Sequence, residues 1–460
     1  MGAKTVKYAV VGSGIAGMGA AWLLSRRHDV MLFEAEKRLG GHANTVDVGT
    51  PEGVTPIDTG FIVYNTACYP NLIGLFDYLG VPTAETGMGF SVSLDHGAYE
   101  YSGSGLAGLF GQKRNLVRPS HWRLISEIMR FFKETNALDL ATLSPDLKLG
   151  EWLTANRYSK FFIHAHIVPM GAAIWSTPAD DMLDFPFAAF VRFFANHGLL
   201  QAYGRPAWRT VKGGSREYIS RLKRDMPARL ALGEPVTQVE GNDKNVKVTT
   251  RSGTVETFDA VIVACHADEA LKISATADAQ TRALLQSFRY QPNLAYLHSD
   301  SSFMPRRRNV WASWNYLGSA RELDGETAQD VSLTYWMNRL QPLETKTNYF
   351  VTLNPTRALP DHHIIGRFDY DHPVFDAAAL AAQKLIWSIQ GRNRIWYAGS
   401  YLGYGFHEDG LEAGLAAAED LSATASQSDG HVKRPWRHDE RHSRIARRDT
   451  ERPIRVKVVA

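Results

Sequence analysis

Gly12-Ser13-Gly14-Ile15-Ala16-Gly17 sets three glycines at G-x-G-x-x-G spacing. The chemistry open to such a run is the holding of a diphosphate. Gly12 permits a tight strand-to-helix turn, Gly14 lets the backbone approach a pyrophosphate, and Gly17 lets the helix pack on the strand. Free N–H groups and a partial positive charge at the helix start complete an anion site. Glu34, about 20 residues on, carries a carboxylate for ribose hydroxyls, and an acid there disfavours a 2′-phosphate. Downstream, Glu34-Ala35-Glu36-Lys37-Arg38-Leu39 runs into Gly40-Gly41-His42, where two glycines again allow close backbone approach to a large ligand.

These residues need elements to position them. Val6 to Val11 reads as a buried parallel strand. The stretch after Gly17 reads as a helix, and Val30 to Phe33 as a second strand ending on Glu34. Together they form a βαβ unit with a phosphate loop at its first turn. The chain has 460 residues, more than one core accommodates, so two domains are expected. Hydrophobic content of 44% with 22% charged residues fits an ordinary globular protein, and a net charge of +3 gives no global pull toward nucleic acid. Cys68 and Cys265 are the 2 cysteines, too few for a disulfide framework or a thiolate metal site. His164 and His166 lack further ligands, so no metal is expected. No apolar run approaches the roughly 20 residues of a membrane span. The nucleotide-type strand starts so near Met1 that no signal peptide fits before it. The expected location is cytoplasmic, with peripheral contact at the inner membrane face as a further reading.

The run from Gly12 through His42 resembles the FAD-binding start of the flavin amine oxidase superfamily, which also holds phytoene desaturases and protoporphyrinogen oxidases. The resemblance implies FAD as cofactor, with Gly12, Ser13, Gly14, Ile15, Ala16 and Gly17 at its pyrophosphate. Glu34 and Ala35 would lie at the adenosine ribose, and Gly40, Gly41 and His42 on the far side of the pyrophosphate. His42 stands where the superfamily usually has arginine. Gly60 and Phe61, in Ile57-Asp58-Thr59-Gly60-Phe61-Ile62-Val63-Tyr64, would line the flavin ring, and Val236 would meet adenine. In Ile395-Trp396-Tyr397-Ala398-Gly399-Ser400-Tyr401 a strand ends at Ala398-Gly399, and a helix is expected to begin near Gly410. The resemblance puts Gly399 and Ser400 at the ribityl phosphate, and Gly410 and Leu411 at the flavin's pyrimidine edge. Tyr404, His407 and Glu408 are the catalytic candidates in that corner, to position substrate or move a proton; capping of the helix by Asp409 or Glu408 is the alternative.

The implied fold is α/β, a Rossmann-like FAD-binding domain with an inserted α+β substrate domain. Residues 1–75, 205–285 and 390–425 are assigned to the first, 76–204 and 286–389 to the second. Within the nucleotide domain, Phe258 to Cys265 reads as a strand returning to the first sheet. Tyr69 to Leu79 and Glu217 to Leu222 read as helices, Gly87 to Leu94 as a strand, and Tyr101 to Gly111 as a Gly/Ser-rich loop. Gln112 to Glu134 is a basic amphipathic stretch, helical from Pro119. It is either a core helix with a solvated basic side or one that touches an anionic membrane. The aromatic run Phe161 to Phe194 reads as a helical cap, either plain core or the wall of a greasy cavity. Strands around Leu294–His298, Val310–Tyr316, Val331–Trp336 and Tyr349–Leu353 suggest an antiparallel sheet. Arg306-Arg307-Arg308 reads as a head-group receptor or a solvated loop. The basic segment 426–460 is expected to be disordered.

Gly-Gly-His-Ala-Asn-Thr, Asp-Thr-Gly-Phe-Ile-Val-Tyr-Asn, Ala-Ala-Ile-Trp-Ser and Gly-Tyr-Gly-Phe-His-Glu-Asp-Gly are similar to a bacterial and plant subgroup linked to cyclopropane fatty acyl synthases. That resemblance implies an oxidoreductase taking hydride from a hydrophobic small molecule or phospholipid acyl chain, with such a synthase as functional partner. The alternatives are oxidation of a small amine, or a binding protein of the GDP-dissociation-inhibitor type with no redox role.

Overall fold

The computed structural model describes residues 6–144, 146–175, 179–318, 331–425 and 430–436. Three remote segments build one five-stranded parallel sheet, in the order Arg229–Leu232, Asp29–Glu34, Lys7–Val11, Ala260–Val263, Ile395–Tyr397. Tyr8, Ala9 and Val10 and the whole of Ala260–Val263 are buried. Such unbroken apolar runs are what a sheet covered on both faces requires. The expected return of Phe258 to Cys265 to the first sheet is thus observed. Val236–Gly241, Val246–Thr250 and Val255–Phe258 form a small antiparallel sheet beside it.

The second sheet has seven strands, ordered Ile364–Pro373, Tyr290–His298, Phe350–Leu353, Ser332–Trp336, Trp314–Gly318, Phe90–Leu94, Tyr99–Ser102. It departs from the expected antiparallel pattern at one place, where Trp314–Gly318 pairs in parallel with Phe90–Leu94. That partner comes from a distant part of the chain, so no hairpin dictates its direction. The segment expected as a loop after Tyr101 holds the end of the Tyr99–Ser102 strand and the Gly105–Leu109 helix. The aromatic run does form helices, Val168–Trp175 and Phe187–Asn196 among them. With Pro119–Asn136 and Leu149–Ala155 they enclose a core that includes Phe131, Phe162, Phe187, Phe190 and Phe194. Arg306 and Arg307 do not form a free receptor. Their backbone N–H groups donate to the buried Glu100 carboxylate, and the Arg307 guanidinium pairs with it at 2.8 Å.

Two helices run from the crevice beyond the parallel sheet, Ile15–Ser25 and His407–Ala425. The first is buried along its whole length. The second starts three residues before the expected Gly410. At Gly414 they pack at backbone distance, where a Cβ would lie 2.0 Å from the Ala16 carbonyl oxygen; at Gly410 a Cβ would lie 2.9 Å from the Ile15 Cγ2. Only small residues permit this approach.

Part of the segment expected to be disordered is docked. His28 Nε2 meets the Gly430 carbonyl at 2.7 Å, Arg434 forks onto Glu419 at 2.9 and 2.8 Å, and Trp436 stacks on Trp22. Basic composition is outweighed here by a paired arginine and an apolar ring with a place to go. The rest of 426–460 lies outside the described residues. Among the described residues no helix is long and apolar enough to cross a membrane.

Gly414→Val is expected to lower apparent stability by about 1–3 kcal/mol or more, because the Ala16 backbone cannot move aside. Gly49→Ala, where an added Cβ meets nothing within 4 Å, is the control and stays within about 0.5 kcal/mol. Thermal and denaturant melts of both variants check this.

Candidate functional site

The glycine run turns from strand to helix as its spacing demands. Gly12 sits at φ +98°, and a Cβ there would strike the Ala264 carbonyl oxygen at 2.8 Å. A Cβ on Gly17 would lie 1.8 Å from the Gly12 oxygen. A Cβ on Gly14 would meet nothing within 4 Å, so the open side of the loop faces space rather than protein. The buried Ser13 donates its N–H to Glu34 at 2.8 Å, and the other Glu34 oxygen accepts from the Glu36 N–H at 2.8 Å. Gly41, at φ +53°, lies against Gly14, where a Cβ would come within 3.1 Å of the Gly14 Cα.

A cavity of about 340 Å³ opens beside this loop. Gly14, Ile15 and Ala16 reach it from the first helix, His42, Gly60 and Phe61 from the segment after the second strand, and Gly399, Ser400, Tyr404, His407 and Gly410 from the C-terminal part. Half of the expected cofactor residues line it. Gly12, Ser13, Gly17, Glu34, Gly40 and Gly41 belong to the loop and its neighbours and do not reach the cavity, nor do Ala35, which is exposed, Val236, which opens the small antiparallel sheet, and Leu411, which packs on Gly19.

The catalytic candidates separate. Tyr404 and His407 line the cavity; Glu408 does not. The Glu408 carboxylate is buried and accepts the Asn71 N–H and Nδ2 at 2.8 Å each and the Leu72 N–H at 2.9 Å. It holds the start of the Pro70–Leu79 helix instead of carrying a proton to substrate. His407 stacks on Phe61 at 3.7 Å and meets the Tyr218 hydroxyl through Nε2 at 2.7 Å. Burial drives its pKa down to about 3, so it stays a neutral imidazole.

His42 stacks on Tyr370 at 5.0 Å, with His372 at 5.7 Å and His266 at 6.1 Å. Burial, then the neighbouring imidazoles, hold His42 well below its ordinary value, and burial brings His372 to about 4. Sequence reasoning missed His266 and His372. His266 follows the end of a central parallel strand, the crevice where open α/β sheets bind ligands, and that position was the available signal. His372 lies on the second sheet and carried none. Beneath them the buried Asp58 accepts from the Thr45 hydroxyl at 2.6 Å and from Ser215, tying the Gly213-Gly214 turn to the site. Burial still raises Asp58 to about 6.

Residues 15–339 match the family described as flavin containing amine oxidoreductase. The chain belongs to this family, a family of FAD-dependent oxidoreductases. A candidate flavin-containing monoamine oxidase of Mycobacterium tuberculosis, AofH, is 29% identical over 262 residues, 55% of each chain. The chain thus spans about half the length of the curated relatives it matches. The fatty acid isomerase of P. acnes that produces CLA superposes with a TM-score of 0.64 at 15% identity, covering 91% of this chain and 98% of that one. Cyclohexylamine oxidase from Brevibacterium oxydans gives 0.63 at 15%, covering 92% and 99%. At these identities the likeness establishes the fold.

The residues present fit FAD. Open space above Gly14 leaves room for a pyrophosphate, and Glu34 braces the loop through the Ser13 N–H. His42 Nε2 is buried without a hydrogen-bond partner, a polar atom that a ligand would satisfy. The first turn of the His407–Ala425 helix adds a second positive helix end at the cavity.

Gly14→Val is expected to leave the melting temperature of flavin-free protein unchanged while lowering FAD affinity at least about 100-fold, as a side chain enters the ligand's space. Flavin fluorescence titration measures both variant and parent. A pH effect also follows. His407 and His372 resist protonation when folded, at about 3 and about 4, but titrate from the ordinary 6.5 when unfolded. Their stabilisation is complete above 6.5 and lost as pH falls, by about 1.4 kcal/mol per unit each. Asp58, raised from 3.8 to about 6, opposes this, favouring the fold as pH drops through 6. Two histidines outweigh one aspartate, so flavin-free protein should melt lower at pH 5 than at pH 7. His407→Asn should flatten that slope.

Proposed function

We propose that the protein removes hydride from a hydrophobic substrate with a long hydrocarbon body, an acyl chain in particular. The cavity wall carries this reading. Met170, Ile174, Trp175, Phe193, Trp208 and Phe406 line it. Asp371 and Arg205, both exposed, are the one acid and the one arginine among its lining residues. The buried wall offers an ammonium group no carboxylate, whereas it offers a hydrocarbon body apolar contact along its length.

FAD, when bound, supplies the hydride acceptor. The chain's own part is to orient and to exclude water. Phe193 stacks on Phe406 at 5.0 Å and on His197 at 3.8 Å, giving a stiff aromatic wall against which a hydrocarbon lies flat. Neutral His407 adds no charge to the dry interior. Loss of hydride from one carbon to the bound flavin and of a proton from its neighbour, released to solvent, would leave a new carbon–carbon double bond.

A second reading is oxidation of a small amine to an imine. The AofH relative and the family description favour it, and an aromatic wall also suits a neutral amine. Anaerobic mixing of flavin-loaded protein with fatty acids, phospholipids and amines separates the two. The acyl reading expects the flavin absorbance to bleach with lipids and to persist with amines. Bleaching by amines alone would sink it.

A further inference from the structure

We propose that the face formed by residues 105–133 is a docking surface for an anionic lipid bilayer. Twelve large apolar residues are conspicuously exposed among the described ones, and five fall within this short stretch: Leu106, Leu116, Val117, Trp122 and Met129. Scattered exposed apolar residues are normal; a cluster is not.

The local geometry turns these residues outward. Lys113–Val117 is a 3-10 turn, in which residues three apart eclipse. Gln112 and Asn115 therefore share the inner side, where both are buried. Gln112 Oε1 accepts the Glu100 N–H at 2.9 Å, and Asn115 Nδ2 donates to the Glu100 carbonyl at 2.9 Å. The outer side is left with Lys113, Arg114, Leu116 and Val117, all exposed, Val117 at 81%. Trp122 Nε1 donates to the Leu116 carbonyl at 2.9 Å and pins this tip to the Pro119–Asn136 helix. Along that helix Trp122, Ser126, Met129 and Lys133 form one exposed stripe at i, i+4, i+7, i+11.

Charge identifies the occupant. From Lys113 to Glu134 the stretch carries Lys113, Arg114, Arg118, Arg123, Arg130 and Lys133 against two acids, Glu127 and Glu134, the latter paired with Arg130 at 3.7 Å. Glu127 is buried and already engaged by Arg123 and Ser159. Lys113, Arg114 and Lys133 enter no ion pair among the described residues. Exposed apolar side chains interleaved along the chain with exposed cations match a bilayer, where hydrocarbon lies beneath anionic head groups. A nucleic acid would match the cations and leave Leu116 and Val117 without a partner.

Vesicle co-sedimentation tests this with the full chain. Vesicles of phosphatidylglycerol and phosphatidylcholine in equal parts should retain the protein, phosphatidylcholine alone should not, and high salt should release it. Lys113→Ala with Arg114→Ala should weaken binding about 30-fold, two charges at about fivefold each. Leu116→Asp with Val117→Asp should abolish retention while leaving flavin content and melting temperature unchanged, since both side chains are exposed. Absence of binding by the parent protein, equal binding to both vesicles, or unchanged binding by both variants would overturn the proposal. So would a solution mass that falls to half in the Leu116/Val117 variant, which would make the face a self-interface. The readout needs no flavin and no substrate, so it stands or fails apart from the proposed reaction.

Discussion

The contact on which the site depends is the backbone-close packing of the Ile15–Ser25 helix on the His407–Ala425 helix. One belongs to the first turn of the chain's phosphate loop, the other lies nearly 400 residues away. Gly414 brings its helix onto the Ala16 backbone, while the Ile15 side chain seats on Gly410 and the Leu411 side chain on Gly19. Their N-termini then open on the same cavity, and two partial positive charges face that one space. Were the helices a side chain further apart, each would retain its own anion site, and the shared crevice would be lost.

The second requirement is that the part of the cavity beside the helix ends carry no charge. Burial keeps His407, His42 and His372 neutral, so the space beside the helix ends presents imidazole rings and aromatic faces. Glu408 illustrates the same economy of charge. Its carboxylate sits one residue from His407 yet is spent on Asn71 and Leu72, clamping the Pro70–Leu79 helix to the C-terminal one. The docked tail strengthens this clamp. The side-chain oxygen of Asn71 accepts from Arg434 at 2.7 Å and from Trp436 Nε1 at 3.2 Å, so the far end of the described chain reaches the helix start through a single asparagine.

Local chemistry explains which features could be read in advance. The G-x-G-x-x-G turn and Glu34 were legible because each is set by residue type and short-range spacing; Ala260–Val263 was legible as a strand from its apolar run, and its return to the first sheet from resemblance. The convergence of Gly60-Phe61 and Gly399-Ser400 on the same cavity came from resemblance, since no spacing rule joins segments so distant. Glu408 was left between a catalytic role and a helix cap because its partner, the Pro70–Leu79 helix, is remote in sequence, and a carboxylate beside a histidine looks the same whether it faces ligand or helix. His372 was invisible for a similar reason: a strand position on the second sheet acquires meaning only when that sheet closes over the loop. The tail shows composition overruled by two side chains, Arg434 and Trp436, that find specific partners.

The central claim is that three distant segments grip one extended dinucleotide along a single line. A crystal structure of the flavin-loaded protein tests it most directly. The account predicts continuous density for one FAD running from Glu34, across Gly14 and past His42, with its ring system between Phe61 and the start of the His407–Ala425 helix. Density for the ring system away from that helix, or a dinucleotide held without the Gly12–Gly17 loop, would contradict it.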